Sequence, residues 1–285
     1  MATYASNIFS IHAQTSLSRT TQSLGKTFER LSSGLRINTA SDDAAGLALA
    51  DSLRSDAKVA AVAIRNANDG ISLVSIADNA LSEVGNVLYR MAELATQSSN
   101  GVYTNTQRSA MSSEFLALGS EIQRIAQTTT FNNQNLLSNS SDTVLQVGFN
   151  SSSNSQITLQ AITGTLSSLG LASSGSSALT FSIISTTTTG SQTAAAAALD
   201  AITAAIGSLS SKRGTLGASQ SRLSHAVNYL TVARENFVAA ESRIRDADIA
   251  QEVAEMTRLQ ILQQAGTAIL AQANLQPSIA FQLLQ

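Results

Sequence analysis

Apolar residues return at alternating intervals of three and four along most of this chain, which is the spacing of one face of an α-helix. The longest run is Leu199, Ile202, Ile206, Leu209, Arg213, Leu216, Gln220, Leu223, Val227, Leu230, Arg234 and Phe237. It is a sustained heptad seam. It predicts a helix over about 194–238, roughly 65–70 Å long at about 1.5 Å per residue. Met111, Phe115, Leu118, Ile122 and Ile125 form a second seam and predict a helix over about 104–129. The stretch of about 44–99 carries two stripes. One runs through Ile64, Ala67, Ile71, Val74, Leu81, Leu88 and Ala95, the other through Val62, Leu73, Ile76, Ala80, Val87 and Leu94. Two stripes imply a helix packed on more than one side. Ser98-Ser99-Asn100-Gly101 separates the first two helices, with Gly101 expected to supply the stop. Together the three predict an elongated antiparallel helical bundle.

The two ends follow the same period without charge. Leu17, Leu24, Phe28, Leu31 and Leu35 keep helical steps, as do Ile249, Val253, Met256, Leu262, Ile269 and Ala273. No Asp, Glu, Lys or Arg occurs before Arg19 or after Arg258, and Gln recurs through the C-terminal tail. Such helices would leave an apolar patch on a free monomer, which points to self-association. Ser32-Ser33-Gly34 is expected to end the first helix. Leu35–Ala40 then reads as an extended connector, and Ser41-Asp42-Asp43 as the cap of the next helix. Glu241–Asp248 concentrates charge in a chain poor in it, so this stretch is expected to lie against the first connector and pair with it. Pro277 lacks the N–H that would reach residue 273, which predicts a kink or break in the tail, with Ile279, Leu283 and Leu284 continuing briefly.

The middle is different in kind. Between Arg124 and Asp200 the only charged residue is Asp142, and nearly half of 138–192 is Ser or Thr. Thr143–Phe149, Gln156–Ile162 and Leu179–Ile184 read as short strands bounded by Asn, Ser and Gly. The segment is read as a small sheet or hairpins on solvated loops, with O-glycosylation as a second reading of its Ser/Thr density.

Composition removes whole classes of function. The 285 residues include no Cys, no Trp and one Pro. There is no disulfide framework, no thiolate metal site and no thiol nucleophile. A net charge of −2 gives no footprint for nucleic acid. Charged residues are only 13% of the chain, so much of the surface is expected to meet other copies. No basic, then apolar, N-terminal segment reads as a secretory signal, and no run of about 18 apolar residues reads as a membrane span. His12 has no carboxylate side chain before Glu29 to orient it, and no HExxH occurs. Asp42-Asp43 reads as a helix cap rather than a metal pair. The expectation is no catalytic residue, no metal and no cofactor.

SSGLRINTASDDAAGLALADSLRS (32–55), ELATQSSNG (93–101) and FNNQNLL (131–137) closely resemble the N-terminal signatures of bacterial flagellins. SRIRDADIAQEVAEMTRLQILQQAGTAILAQANLQPSIAFQLLQ (242–285) is similar to the flagellin C-terminus. The resemblance spans about 1–137 and 194–285, with a short form that has little or no outer domain. It implies a mainly α fold: the helical bundle with a small β-hairpin region, plus a coiled coil formed by pairing the N- and C-terminal helices. The implied terminal domain is 1–40 with 242–285, with connectors at about 33–43 and 238–248. The implied rod domain is 41–241, with a variable β/loop region at about 138–192. Its terminal coiled-coil and inter-subunit residues would be Leu17, Leu24, Phe28, Leu31, Leu35, Ile249, Val253, Met256, Leu262 and Ile269.

The resemblance further implies a non-enzymatic subunit of the flagellar filament, serving motility and exported unfolded through the flagellar type III apparatus. The implied partners are other copies of itself in a helical homopolymer, an export chaperone, the filament cap and hook-associated proteins, with no nucleic acid and no membrane insertion. The filament is extracellular. The uncharged tail amides, including Gln282 and Gln285, would line a channel. A vertebrate Toll-like receptor recognises a flagellin region similar to Arg90, Glu93, Leu94, Gln97 and Glu114, although Met91 and Ala92 depart from the commoner Val-Arg. Asn133 stands where the family often has Gly, and Asn tolerates the left-handed region. Two alternatives share parts of this design: a hook–filament junction protein, and a secreted adhesin or effector that uses flagellar export.

Overall fold

A computed structural model describes residues 7–282. In chain order the elements are α1 (Ile8–Ser33), α2 (Ala44–Ser99), α3 (Asn105–Thr128), β1 (Thr130–Phe131), β2 (Gln134–Asn135), β3 (Thr143–Gln146), β4 (Gln156–Leu159), α4 (Thr188–Arg245) and α5 (Ile249–Gln282). The fold is mainly helical, with the two end helices in close contact and small antiparallel hairpins. The chain divides into two compact units. One is built from the two ends, up to Ala57 and from Glu235; the other is Lys58–Arg234.

The second unit holds the larger core. In α2 the first stripe is the deeper one, with Ala67, Val74, Leu81, Leu88 and Ala95 each at 0% exposure and Ile64 and Ile71 half-buried. The second stripe is uneven: Leu94 is buried, Leu73, Ala80 and Val87 are half-buried, and Val62 and Ile76 are exposed.

In α3 and α4 the buried seam is offset from the apolar run. The deepest positions of α4 are Ala195, Ala198, Ile202, Ala205, Leu209, Leu216, Ser219 and Leu223, while Arg213, Gln220 and Arg234 are not among them. Those of α3 are Ser112, Phe115, Gly119, Ile122 and Ala126. Small residues are interspersed with large ones along each seam, and each small residue lets the facing element close in. Met111, Leu118, Ile125, Leu199, Ile206 and Val227 flank the seams half-buried. Arg213 donates two hydrogen bonds to the Asp78 carboxylate, at 2.7 and 3.1 Å, tying α4 to α2.

The apolar residues of the Ser/Thr-rich middle join this core, while nearly all of its Ser and Thr stay exposed or half-buried. Val147, Ile157, Leu159, Ile162, Leu166, Leu171 and Ile183 are all buried in it. β3 pairs with β4 in antiparallel register, Thr143 opposite Leu159 and Gln146 opposite Gln156. Leu145 of β3 seats over Gly70 of α2, where any Cβ would collide with its side chain. Asn66 Nδ2 donates to the Gln146 carbonyl at 3.0 Å. Leu179–Ile184 forms no strand. A single bridge links Leu179 to Ala172, and the segment instead inserts Ile183 into the core while Ser98 Oγ donates to the Ile183 carbonyl. β1 and β2 join through Asn132 and Asn133 at φ 47° and 63°, a two-residue hairpin with both central residues left-handed.

Two helix ends differ from expectation. Gly101 does not end α2 by turning left-handed; among the described residues the positive-φ glycines are Gly34, Gly170 and Gly175. Arg108, fully buried, reaches back from α3 instead. Its Nε donates to the Ser98 carbonyl and its Nη2 to the Asn100 carbonyl, each at 2.8 Å. A cation at a helix C-terminus satisfies carbonyls and complements the dipole. α4 starts at Thr188 and ends at Arg245, beyond both predicted limits. Thr187 Oγ1 accepts from the Gly190 N–H at 3.1 Å to start it early, and Arg243 and Arg245 occupy its last turn.

One 18-residue window of α4 reaches a mean hydropathy of 1.3, long and apolar enough by composition to cross a bilayer, although no 18 consecutive apolar residues occur in it. Alanines raise that value. The apolar side of the Ala-rich turns already packs in the core through Ala195, Ala198, Ile202 and Ala205.

Candidate assembly surface

The unit built from the chain ends pairs α1 with α5. Asn7 caps α1, its Oδ1 accepting from the Ser10 N–H at 3.2 Å, and Gly34 closes it at φ 73° in the left-handed cap. The inner row of α1 is Ser10, Ala13, Leu17, Thr20, Leu24, Thr27 and Leu31; that of α5 is Glu252, Met256, Leu259, Gln263, Gly266, Leu270 and Ala273. Both keep the three–four heptad step. Small and polar residues interrupt both rows, and polar contacts join the apolar ones across the pair. Ser10 Oγ donates to Asn274 Oδ1 at 2.7 Å, and Arg30 Nη1 to Glu252 Oε1 at 3.3 Å.

Against that seam the ten residues singled out from the sequence divide. Leu24 is buried, and Leu17, Leu31 and Met256 lie on the inner rows. Leu35 is half-buried in the connector. Phe28, Ile249, Val253, Leu262 and Ile269 are exposed on the outside of the pair, Ile269 at 60%. Ile8, Phe9, Ile11, Ile261 and Leu275 are exposed with them. In α5 the rows Ile261–Ala268–Leu275 and Leu262–Ile269 step by heptads side by side, making one apolar flank. Phe9, Ile269, Gln272, Ala273 and Gln276 line an open groove where the flank meets the pair.

The expected break at Pro277 is absent, since α5 runs through to Gln282. Proline leaves the Ala273 carbonyl without its helical donor. Asn7 Nδ2 supplies a replacement hydrogen bond to that carbonyl at 2.7 Å, from the opposite end of the chain. Leu283, Leu284 and Gln285, and the side chains of Ile279 and Gln282, lie outside the described residues.

The two connectors meet, but mainly through main chain. The Arg36 N–H donates to the Arg245 carbonyl at 2.6 Å and the Ala247 N–H to the Gly34 carbonyl at 3.0 Å. Arg36 Nη2 donates to the Ile244 carbonyl at 2.7 Å, and Arg245 Nε to the Ile37 carbonyl at 3.3 Å. The ion pairs reach α2 instead, Arg54 to Glu241 at 2.6 Å and Arg245 to Asp51 at 3.6 Å. Asp43 is the cap of α2, its Oδ1 accepting from the Gly46 N–H at 2.9 Å. Asp42 does different work. It accepts from the Thr39 N–H, the Asn38 N–H and the Thr39 hydroxyl, folding the connector on itself. The Thr39 N–H, foremost among these, holds the Asp42 carboxyl below its ordinary pKa.

In the other unit, Arg90 pairs with Glu93 at 2.9 Å and with Glu114 at 2.8 Å, and Gln97 Nε2 donates to Tyr103 Oη at 3.0 Å. Arg90, Glu93, Gln97 and Glu114 thus form an exposed polar surface across α2 and α3. Leu94 is not part of that surface, being 2% exposed in the core. Met91 is fully buried, so an apolar side chain suits its position. Sequence reasoning missed Arg108. The signal available for it was its place directly after the Thr104–Gln107 capping box, close to the preceding helix end. No cluster of three or more potential metal ligands occurs among the described residues.

The chain matches the bacterial flagellin N-terminal helical region over residues 5–142 and the bacterial flagellin C-terminal helical region over residues 199–284. It is 44% identical over 261 residues to a flagellin of Halalkalibacterium halodurans, covering 91% of each chain. It is 38% identical over 302 residues to a flagellin of Bacillus subtilis, covering 98% of each. A solved structure of a putative flagellar hook-associated protein from Vibrio parahaemolyticus is similar in fold, with TM-score 0.57 at 15% identity over 72% of this chain and 99% of the other. The matched regions span the paired end helices, α2 and α3, and most of α4, and they leave out the Ser/Thr-rich middle after residue 142. The chain belongs to the bacterial flagellin family.

Proposed function

We infer that the apolar flank of the α1–α5 pair is the surface through which copies of this chain bind one another. As a bacterial flagellin the chain is a structural subunit of the flagellar filament: it is exported through the flagellar type III apparatus, polymerises outside the cell, serves swimming motility and is not an enzyme. One observation carries the assignment of the flank. Ile261, Leu262, Ile269 and Leu275 stay exposed on α5, while its inner row places Gln263 and Gly266 against the partner helix. A fold driven by its own burial would place the large side chains inside. Burying one Ile or Leu contributes roughly 1.5–3 kcal/mol, and a polymer collects that gain at every contact.

The same flank is a target for an export chaperone before assembly, which would keep α5 from associating in the cytoplasm. At the growing end, the filament cap and hook-associated proteins would meet the same helices. The Arg90, Glu93, Gln97 and Glu114 surface is our candidate for contact with a vertebrate Toll-like receptor, with Leu94 supporting it from the core.

A chain ending at Arg258 tests the assembly role. It should remain soluble and helical by circular dichroism and should form no fibres on seeding; fibres in electron micrographs would refute the role of the flank. For the receptor, monomeric protein should activate reporter cells, and Arg90→Ala with Glu114→Ala should reduce the response. No response to the unaltered monomer would remove the footprint.

A further inference from the structure

We propose that Asn100–Gly101 is a self-modification site, where the main chain rearranges to isoaspartate and the buried Arg108 guanidinium receives the carboxylate that forms. Three observations meet there. Asn100 and Gly101 are exposed and lie just beyond the last residue of α2, where the Asn100 N–H makes a last bond back to the Gln97 carbonyl at 3.2 Å. Asn100 Oδ1 accepts from the Val102 N–H at 3.2 Å. This turn closes a ring that spans Gly101 and polarises the side-chain carbonyl. Among the described residues no acceptor takes the Gly101 N–H, and glycine offers no Cβ to block the approach.

The chemistry needs only water. The Gly101 nitrogen attacks Asn100 Cγ. The N–Cγ bond forms, the Cγ–Nδ2 bond breaks, and the amide nitrogen leaves as ammonia carrying the proton of the Gly101 N–H. The product is a five-membered imide. Water then adds to the original Asn100 main-chain carbonyl and breaks its bond to the Gly101 nitrogen. The chain now runs through Cγ, and the former main-chain carbonyl becomes a free carboxylate, its proton lost to solvent.

That carbonyl is the one Arg108 Nη2 already holds at 2.8 Å. Arg108 is fully buried, and its hydrogen bonds among the described residues go to carbonyl and amide oxygens of Ser98, Asn100 and Asn105 rather than to a carboxylate. A buried cation without a counter-ion is costly, and a charge-assisted pair relieves it. The product is therefore stabilised by a group already in place. Asn100-Gly101 is the only Asn-Gly in the chain, so the reaction is fastest in the α2–α3 loop.

The test is peptide mapping with isoaspartyl methyltransferase labelling after incubation of the full-length protein at mildly alkaline pH. The control is a free peptide covering Gln97–Thr104, incubated in parallel. Asn100 should convert before the other asparagines, at least as fast as in the peptide, and with a larger isoaspartate share. Gly101→Ala should slow it, because a side chain restricts the backbone the ring closure needs; its Cβ would meet only the flexible end of the Gln192 side chain. Arg108→Lys, checked for native helicity, should bring the isoaspartate share down toward that of the peptide. Conversion slower than in the peptide, or unaffected by Gly101→Ala, overturns the site; an isoaspartate share equal to the peptide's overturns the role of Arg108.

Discussion

Gly70 and Gly119 show how single residues set the close packing of the Lys58–Arg234 unit. A Cβ on Gly70 would collide with Leu145 of β3, and one on Gly119 with Leu179 of the segment after β4. Gly70→Ala should therefore lower unfolding stability by about 1–3 kcal/mol, the usual cost of overpacking, despite improving helix propensity. Chemical denaturation checks it, and an unchanged or raised midpoint would contradict the seating of β3 on α2. At the connector, the effect is one of protonation. Asp42 has its pKa lowered in the folded state, so its contribution is present above the ordinary carboxylate pKa of about 3.9 and is lost as pH falls through the lowered value. The Thr39 amide resonance should titrate with a midpoint below that ordinary value, and Asp42→Asn should abolish the titration; a midpoint at or above it would contradict the hydrogen-bonded geometry. Neither glycine announces its role in the sequence, because a helical glycine facing a side chain reads the same as one facing water. Arg108 is hidden for a similar reason: an arginine on an otherwise amphipathic helix reads as solvated until a neighbouring helix end is placed over it.

Among the elements, the helical period is legible and its phase is not. The longest apolar side chains are not the only ones to lie deepest in α4. Ala195, Ala198, Ala205 and Ser219 reach its core beside Ile202 and Leu209, while Arg213 and Gln220 of the apolar run are not buried there. Hydrophobicity alone ranks alanine low, so a seam drawn through the large residues slides by one residue at alternate steps. The same slip affects the end helices, where the large residues Leu262 and Ile269 read as an inner seam and lie outside it. Strand content is harder still to read. Leu179–Ile184 has the composition of a strand but no neighbour with which to form a ladder, and β-propensity measures fit to a neighbour more than a backbone preference. The split between inner and outer rows makes a prediction. Leu24→Ala, at a buried seam position, should destabilise the α1–α5 pair by about 2–5 kcal/mol, seen as early loss of helical signal on heating. Phe28→Ala, at an exposed position one turn on, should leave monomer melting within about 0.5 kcal/mol of the unaltered chain. Equal effects of the two would contradict the assigned rows.

For the whole molecule, shortage of charge has a location. The ends carry no Asp, Glu, Lys or Arg before Arg19 or after Arg258, and large apolar residues such as Phe9, Ile11, Ile261 and Ile269 stay exposed on them. The Ser/Thr-rich middle is equally poor in charge, but its apolar residues join the core of its own unit. Family membership and the pairing of the ends are legible from the terminal motifs, whereas the division of labour between seam and flank needs coordinates. The account rests on the flank being kept apolar for other copies rather than for the fold. The most direct measurement is seeded polymerisation of the Leu262→Gln/Ile269→Gln double variant, followed by sedimentation and electron microscopy, with circular dichroism of the monomer alongside. The account predicts native helical content and no filaments. Filaments formed at the rate of the unaltered chain would contradict it.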